Sequence, residues 1–127
     1  MPESKTKGQV EAAVTAALTQ FERDFLGRGP REARTFIVQD LVLVRMKGIL
    51  STAEQQLSLE PGGVELIKQV RSRLIEGSNA VLGRLVEAEV GVPVVSMHTD
   101  ISTRTGERVF VFGLERVFEE PTADSVD

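Results

Sequence analysis

The spacing of apolar positions along the chain predicts two amphipathic helices. Between residues 6 and 26, apolar residues recur every three or four positions, after a capping box formed by Thr6 and Gln9 and before Gly27. A second pattern of this kind runs from about residue 61 to residue 89. Its predicted buried side consists of Ile67, Val70, Leu74, Val81, Leu82 and Leu85.

Two local features modify this second helical region. Ser51 and Glu54 form another capping box, which predicts a short separate helix that carries Leu57 and Leu59. In the middle of the longer helix lies Gly77-Ser78-Asn79, where glycine costs about 1 kcal/mol relative to alanine. The sequence is compatible with both a kinked and a continuous helix at this point.

Four runs rich in β-branched and aromatic residues predict two β-hairpins. Residues 34–38 and 41–47 are separated by a two-residue break, which is typical of a tight hairpin. Residues 94–100 and 108–115 flank a turn or longer loop over 101–106. The order helix, hairpin, helix, hairpin predicts an α+β fold, a four-stranded and mainly antiparallel sheet with two long helices on one face.

Both faces of this sheet carry apolar residues, although the helices would cover only one. In the second strand, Leu41 and Leu43 point to one face and Val42 and Val44 to the other. In the fourth strand, Val109 and Val111 point to one face and Phe110 and Phe112 to the other. A contiguous exposed apolar patch usually marks an interface. We therefore expect a homodimer or higher homo-oligomer that associates through the open sheet face or an edge.

Length and composition fit one domain. The chain has 127 residues, of which 41% are hydrophobic and 27% charged, and these values are ordinary for a folded domain of this size. We expect a disordered N-terminus over residues 1–5, a single domain over residues 6–118 and an acidic frayed tail over residues 119–127.

Charge and residue usage exclude several classes of protein. The net charge of −4 argues against general binding to nucleic acid. The absence of cysteine excludes thiolate catalysis and cysteine-ligated metals, and a single histidine excludes a multi-histidine metal site within one chain. The first residues lack the apolar core of a signal peptide, and no uncharged apolar run is long enough to span a bilayer, so we expect no direct membrane insertion. We expect a cytoplasmic protein.

The stretch from Val95 to Arg108 holds the densest set of reactive groups. Ser96, His98 and Asp100 alternate along a predicted strand and share one face, as a serine–histidine–aspartate relay would require. Alternate residues of a strand, however, lie about 7 Å apart, too far for direct hydrogen bonds without leaning. The sequence therefore favours a structural strand end, and we assign no catalytic residue.

A mixed metal site formed by His98, Asp100 and Asp40 is a minor hypothesis. No histidine or carboxylate pair at helical spacing supports it, so we predict neither a metal nor a cofactor. The turn offers a stronger alternative, because its hydroxyls, backbone N–H groups and arginine could hold a small oxyanion. A plain hairpin in which the hydroxyls bind their own backbone remains open. The candidate ligand-binding residues are His98, Asp100, Ser102, Thr103, Arg104 and Thr105.

Three runs of the chain resemble one bacterial family. They are residues 21–30 (FERDFLGRGP), 40–48 (DLVLVRMKG) and 95–108 (VSMHTDISTRTGER), of which the last is the most specific. The chain is similar to the YbcI-like or MpsC-like family, described as a domain of unknown function, over about residues 6–118. This resemblance implies an association with a sodium-translocating, membrane-potential-generating system that is linked to the supply of dissolved inorganic carbon. The resemblance provides no established catalytic residues to carry over to this chain, and it implies a smoother helix in relatives around residues 77–79.

The first functional hypothesis is a non-enzymatic cytoplasmic accessory or regulatory protein that docks on a membrane transport complex. The alternative is a small-anion sensor or small enzyme that uses His98, Asp100 and Arg104. We expect no nucleic-acid partner.

Overall fold

The computed structural model describes residues 5–120, which form four helices and four strands. The helices are α1 Lys7–Leu26, α2 Thr52–Leu57, α3 Gly63–Glu76 and α4 Asn79–Val90. The strands are β1 Glu32–Val38, β2 Leu41–Lys47, β3 Val94–Ser102 and β4 Glu107–Leu114.

The four strands form one antiparallel sheet in the order β1-β2-β4-β3. Each hairpin pairs its own two strands, and β2 pairs with β4 to join the hairpins at the centre of the sheet. The register aligns Phe36 with Leu43, Leu43 with Val111, and Val111 with His98. These four residues therefore form one row across the sheet, from β1 to β3.

The helices cover one face of the sheet, as the sequence predicted. Burial alternates along β4, where Phe110 and Phe112 are buried while Val109 and Val111 are only partly covered. The same face of β2 contributes Val42, Val44 and Met46, and α1 and α4 pack against this layer. The α+β fold class with a four-stranded antiparallel sheet is therefore confirmed.

Local sequence signals set the helix boundaries. Both capping boxes are present, with Thr6 and Gln9 bonded reciprocally at the start of α1 and Ser51 and Glu54 at the start of α2. α1 ends at Gly27, which adopts the left-handed conformation (φ 84°) that a Cβ would strain. These predictions from the sequence are confirmed.

The long second helix is broken, and part of its predicted buried side was wrong. Gly77 and Ser78 separate α3 from α4, and the Ser78 hydroxyl donates to the carbonyl of Leu74 (3.2 Å). Ile67 and Leu82 are buried and Leu85 is half-buried, but Val70, Leu74 and Val81 are exposed. The inward positions are instead occupied by Ile67, Arg71 and Ile75 in α3 and by Leu82, Val86 and Val90 in α4. The physical reason is that α3 is rotated so that Arg71, not Val70, faces the core.

The predictions of a disordered N-terminus and a frayed tail fall mainly on residues 1–4 and 121–127, which lie outside the described residues. Within the described part, the carboxylate of Glu120 accepts a hydrogen bond from the backbone N–H of Lys7 (2.8 Å). Over residues 5–120, none of the helices has the length and apolar character needed to cross a membrane.

Candidate functional site

The β3–β4 hairpin builds the candidate site through its own backbone bonds. The carbonyl of Ser102 accepts from the N–H of Gly106 (2.8 Å), and the Ser102 hydroxyl accepts from the N–H of Thr105 (3.3 Å). Gly106 has φ 71°, and its carbonyl accepts from the N–H of Ile49, which ties the turn to the body of the protein. The hydroxyl-rich turn therefore satisfies part of its own backbone.

An open groove of about 380 Å³ lies between this hairpin and α3. It contains four of the predicted ligand residues and adds two from α3 that the sequence did not indicate, Val64 and Lys68. The lining residues are Val64, Lys68, Asp100, Ile101, Ser102, Thr103, Arg104, Glu107 and Val109.

The groove contains charges of both signs. Lys68 lies 3.6 Å from Asp100, in an ion pair whose carboxylate side chain is 77% exposed. Arg45 donates to the carboxylate of Glu107 on the neighbouring strand. Arg104 is exposed at the turn. An anion that entered the groove would meet Lys68 and Arg104, and it would compete with Asp100 for the ammonium group of Lys68.

Two of the six predicted ligand residues lie outside the lining of this groove. Thr105 is exposed at the turn, and His98 is exposed on the open face of the sheet beside Val111. Ser96, His98 and Asp100 share that face, but no hydrogen bond among residues 5–120 joins one of them to another. The strand spacing therefore keeps these three side chains from forming a relay.

The residues of the minor metal hypothesis are not brought together. Asp40 lies in the turn between β1 and β2, where its carbonyl accepts from the N–H of Leu114, whereas Asp100 lies further along the sheet beside Val109. In the part of the chain that the structure describes, no group of three histidine or carboxylate side chains could hold a metal ion.

A second set of charges, partly or fully buried on the helix side of the sheet, was not found from the sequence. Arg71 of α3 donates from Nε and Nη2 to both carboxylate oxygens of Glu54 (2.8 and 2.7 Å) and from Nη2 to the carbonyl of Ile49 (3.1 Å). Burial opposes ionisation of Glu54, but the hydrogen bonds from Arg71 and from the N–H of Ser51 outweigh it and lower the pKa of Glu54 to about 2. This pair fastens α2 to α3.

Glu22 of α1 and Arg108 of β4 complete the buried charges, each with only 2% of its surface exposed. Burial raises the pKa of Glu22, while the nearby charges of Arg108 and Arg71 act in the opposite direction. Arg108 donates to the Thr99 hydroxyl (3.1 Å), but its Nε and Nη2 atoms and one oxygen of Glu22 have no partner within the described chain. The sequence offered one signal for this buried charge, because Glu22 lies beside Phe21 and four residues after Leu18, next to the apolar face of α1.

Large apolar side chains lie exposed on the open sheet face. We define the outer face as the sheet side chains that point away from the helices. Phe36, Val38 and Leu41 are 39%, 55% and 44% exposed there, and Leu43, Val109 and Val111 are half-buried beside them. No helix of the described residues packs over Phe36, Val38 and Leu41, as the sequence predicted. At the β3–β4 end, α3 borders the face, where Lys68 pairs with Asp100.

A second exposed apolar surface lies on α3. Leu66, Val70 and Leu74 are 52%, 56% and 38% exposed, and because they are four residues apart they form one stripe along the helix, here called the α3 stripe. Lys68 and Val64, which line the groove, lie on the opposite flank of α3 because successive residues are about 100° apart. The groove and the α3 stripe are therefore separate surfaces.

These features define a small α+β protein with two exposed apolar surfaces and an open polar groove at one hairpin. The sequence matches the family described as Na+-translocating membrane potential-generating system (MpsC) over residues 6–116, and the chain belongs to this family.

Two relatives come from Bacillus subtilis (strain 168). The uncharacterized protein YbcI is 43% identical over 110 residues, which cover 87% of this chain and 89% of YbcI. The uncharacterized protein YrhF is 25% identical over 104 residues, which cover 81% of this chain and 85% of YrhF. No solved structure matches the chain.

Proposed function

We propose that the protein is a non-enzymatic accessory or regulatory subunit of a sodium-translocating, membrane-potential-generating and inorganic-carbon supply system. It acts in the cytoplasm as a homo-oligomer and docks on a membrane-embedded transport subunit. The family membership supports the link to a sodium-translocating, membrane-potential-generating system. The docking role is our inference from the exposed surfaces.

One observation carries this proposal, namely the α3 stripe. Three large apolar side chains on a regular helix expose between 38% and 56% of their surface, although the same helix buries Ile67 and Ile75 on its inner side. An amphipathic helix normally leaves polar residues on its solvent side, so a second apolar flank favours a protein partner. The partner would present a matching apolar groove, as in helix-in-groove recognition.

The test is affinity capture from native membranes with the tagged full-length chain. Val70→Lys places a charge in the middle of the α3 stripe and should abolish recovery of transport subunits that mass spectrometry identifies with the wild type. Gln69→Lys adds the same charge at an exposed neighbouring position outside the stripe and serves as the matched control. If the wild type recovers no ion-transport subunit, or if both variants recover it equally, the docking proposal is wrong.

The groove favours a second candidate function, the binding of a small anion such as bicarbonate, carboxylate or phosphate. Lys68 and Arg104 come from different elements and both line the groove, which gives an oxyanion two cationic contacts. Since the Lys68–Asp100 pair is exposed to water, it contributes little stability and could open at low cost. The protein would then report the anion to its partner.

Thermal-shift measurements with sodium salts of bicarbonate, formate, phosphate and chloride test this candidate. A bound anion raises the melting temperature by mass action, and Lys68→Ala and Arg104→Ala should each remove the shift. His98→Ala is the matched control, because His98 lies outside the groove lining and should keep the shift. Equal shifts in all four proteins would assign the effect to general salt stabilisation and refute a site in the groove.

A further inference from the structure

We propose that the outer face of the sheet is a self-complementary surface on which a second copy of the chain packs face to face. The two copies are related by a two-fold axis parallel to the strands. This inference gives a structure to the homo-oligomer of the proposed function, and it rests on the proposed function only in assuming that the chain forms a homo-oligomer. It does not depend on the membrane partner.

The first line of support is the distribution of charge over the outer face. The half formed by β1 and β2 carries three cations, Arg34, Arg45 and Lys47, against one anion, Glu32. The half formed by β3 and β4 carries the carboxylates Asp100 and Glu107, and its strands place no lysine or arginine on this face. Within one chain, Lys68 of α3 reaches Asp100 and Arg45 of β2 reaches Glu107, but the Asp100 side chain stays 77% exposed and open to a second cation. A surface with one basic and one acidic half can pair with its own copy when the halves are exchanged.

The register of the strands shows which residues such an exchange brings together. A two-fold axis that runs parallel to the strands, between β2 and β4, places β1 over β3 of the second copy and β2 over its β4. Each residue then faces a residue of the same row in the second copy. Arg34 and Asp100 end the same row, so each Arg34 faces Asp100 of the second copy. Lys47 and Glu107 lie one residue beyond the last β2–β4 pair, Met46 with Arg108. The exchange therefore brings Lys47 to a carboxylate that also holds Arg45 of its own chain.

Side-chain size follows the same division. In the row next to Phe36, the large apolar residues Val38 and Leu41 are on the basic half, and the small residues Gly113 and Ser96 are on the acidic half. The exchange therefore places Leu41 over Gly113 and Val38 over Ser96 of the second copy. The Ser96 hydroxyl occupies the place that a Cβ on Gly113 would take, so these two small residues together present a low surface. Leucine and valine of the second copy can pack over it, as shape-complementary interfaces require.

The other two-fold axis in this face gives no such match. An axis along the row of Phe36 and Leu43 would place each strand on its own copy. Arg34 would then face Val38, so that its guanidinium group would lose water against an apolar side chain without gaining a carboxylate. Arg45 faces an apolar residue with either axis and keeps Glu107 of its own chain. The axis parallel to the strands is therefore the one that the chemistry of the face supports.

The size of the face predicts a weak dimer. Four strands about 4.8 Å apart and about seven residues long span roughly 440 Å² per copy, which is below the standard size of stable interfaces. We expect a dissociation constant in the micromolar range, so sedimentation velocity of the purified full-length chain is measured from about 1 to about 500 µM.

Charge reversal tests the Arg34–Asp100 contact. Arg34→Glu and Asp100→Arg should each raise the dimer dissociation constant by about tenfold or more, and the double variant should restore it to within about threefold of the wild type. Arg84→Glu, an exposed site on α4, should have no effect. Thermal unfolding followed by circular dichroism verifies that every variant is folded. A folded wild type that is monomeric at all concentrations, or a double variant as weak as the singles, would overturn the proposal.

Cross-linking tests the axis independently, because the chain contains no cysteine. Phe36 faces His98 of the second copy in the proposed dimer, so a short bismaleimide should cross-link a mixture of Phe36→Cys and His98→Cys chains. Neither variant alone should react, since two copies of position 36 would be about 17 Å apart. Cross-linking of Phe36→Cys alone would contradict the axis. If the dimer fails while membrane capture succeeds, the accessory role stands with a monomer.

Discussion

The Arg71–Glu54 pair makes the protein's stability depend on pH in a way that one substitution can isolate. Glu54→Gln removes the negative charge but keeps an oxygen that can accept from the N–H of Ser51, so the capping box is preserved. The two bonds from Arg71 are weakened, because a neutral amide offers a single acceptor oxygen in place of a charged bidentate carboxylate.

The expected loss of stability follows from the pKa of Glu54. The difference between its ordinary pKa of 4.5 and its folded value of about 2 corresponds to at most about 3 kcal/mol at neutral pH. Water still reaches this carboxylate, whose side chain is 27% exposed, and screening reduces the contribution. We therefore expect Glu54→Gln to lower the free energy of unfolding by about 1–2 kcal/mol at pH 7.

The sign of the pH dependence is fixed by the direction of the pKa. A lowered folded pKa means that the unfolded chain takes up the proton first as the solution is acidified. The stabilisation is therefore complete above about pH 5 and is lost as the pH falls from 4.5 toward 2.

Urea unfolding of wild type and Glu54→Gln at pH 7 and pH 3 measures this effect. The stability difference between the two proteins should fall below half of its neutral value at pH 3, and other titrating groups cancel because both proteins share them. Glu60→Gln, at an exposed site between α2 and α3, should change stability by less than about 0.5 kcal/mol. A difference that is equal at both pH values would refute the assigned role of the ion pair.

Three further predictions concern the buried carboxylate and two glycines. Burial raises the pKa of Glu22, so the native state binds the proton of this carboxyl group more tightly than the unfolded chain does. The contribution of Glu22 to the free energy of unfolding should therefore increase as the pH falls from neutral toward 4.5, and the same urea titrations of Glu22→Gln should lack this increase. Gly77 has φ −70°, and an added Cβ would make only ordinary contacts, 3.9 Å from the carbonyl oxygens of Arg73 and Leu74, so Gly77→Ala should raise the free energy of unfolding by about 0.4–1 kcal/mol. Gly63→Ala should instead lower it by about 1–3 kcal/mol or more, because its Cβ would collide with the carbonyl of Leu57, and a melting temperature at or above wild type would contradict this packing.

The elements with local signals could be predicted from the sequence. The two capping boxes, Gly27 and the two-residue break before Leu41 each act within a few residues, so pattern and structure agree there. The fold class followed from the order of these elements. The pairing of β2 with β4 joins the two hairpins, and it could be expected only from the apolar character of both strands.

The rotation of α3 could not be predicted in the same way. Val70 and Arg71 are neighbours on the helix, and periodicity alone favours the apolar one for the core. Arg71 can face the core because its guanidinium group donates to the carboxylate of Glu54, 17 residues earlier in the chain. Without this partner, we would expect the arginine to face the solvent. Lys68 was missed as part of the groove for a similar reason, because α3 meets the β3–β4 turn only in the folded chain.

Capture from native membranes tests most directly whether the α3 stripe binds a membrane transport subunit. We predict that the wild-type chain recovers an ion-transport subunit, that Gln69→Lys recovers it equally, and that Val70→Lys loses it. Recovery of the same subunit by Val70→Lys at the wild-type level would contradict the claim.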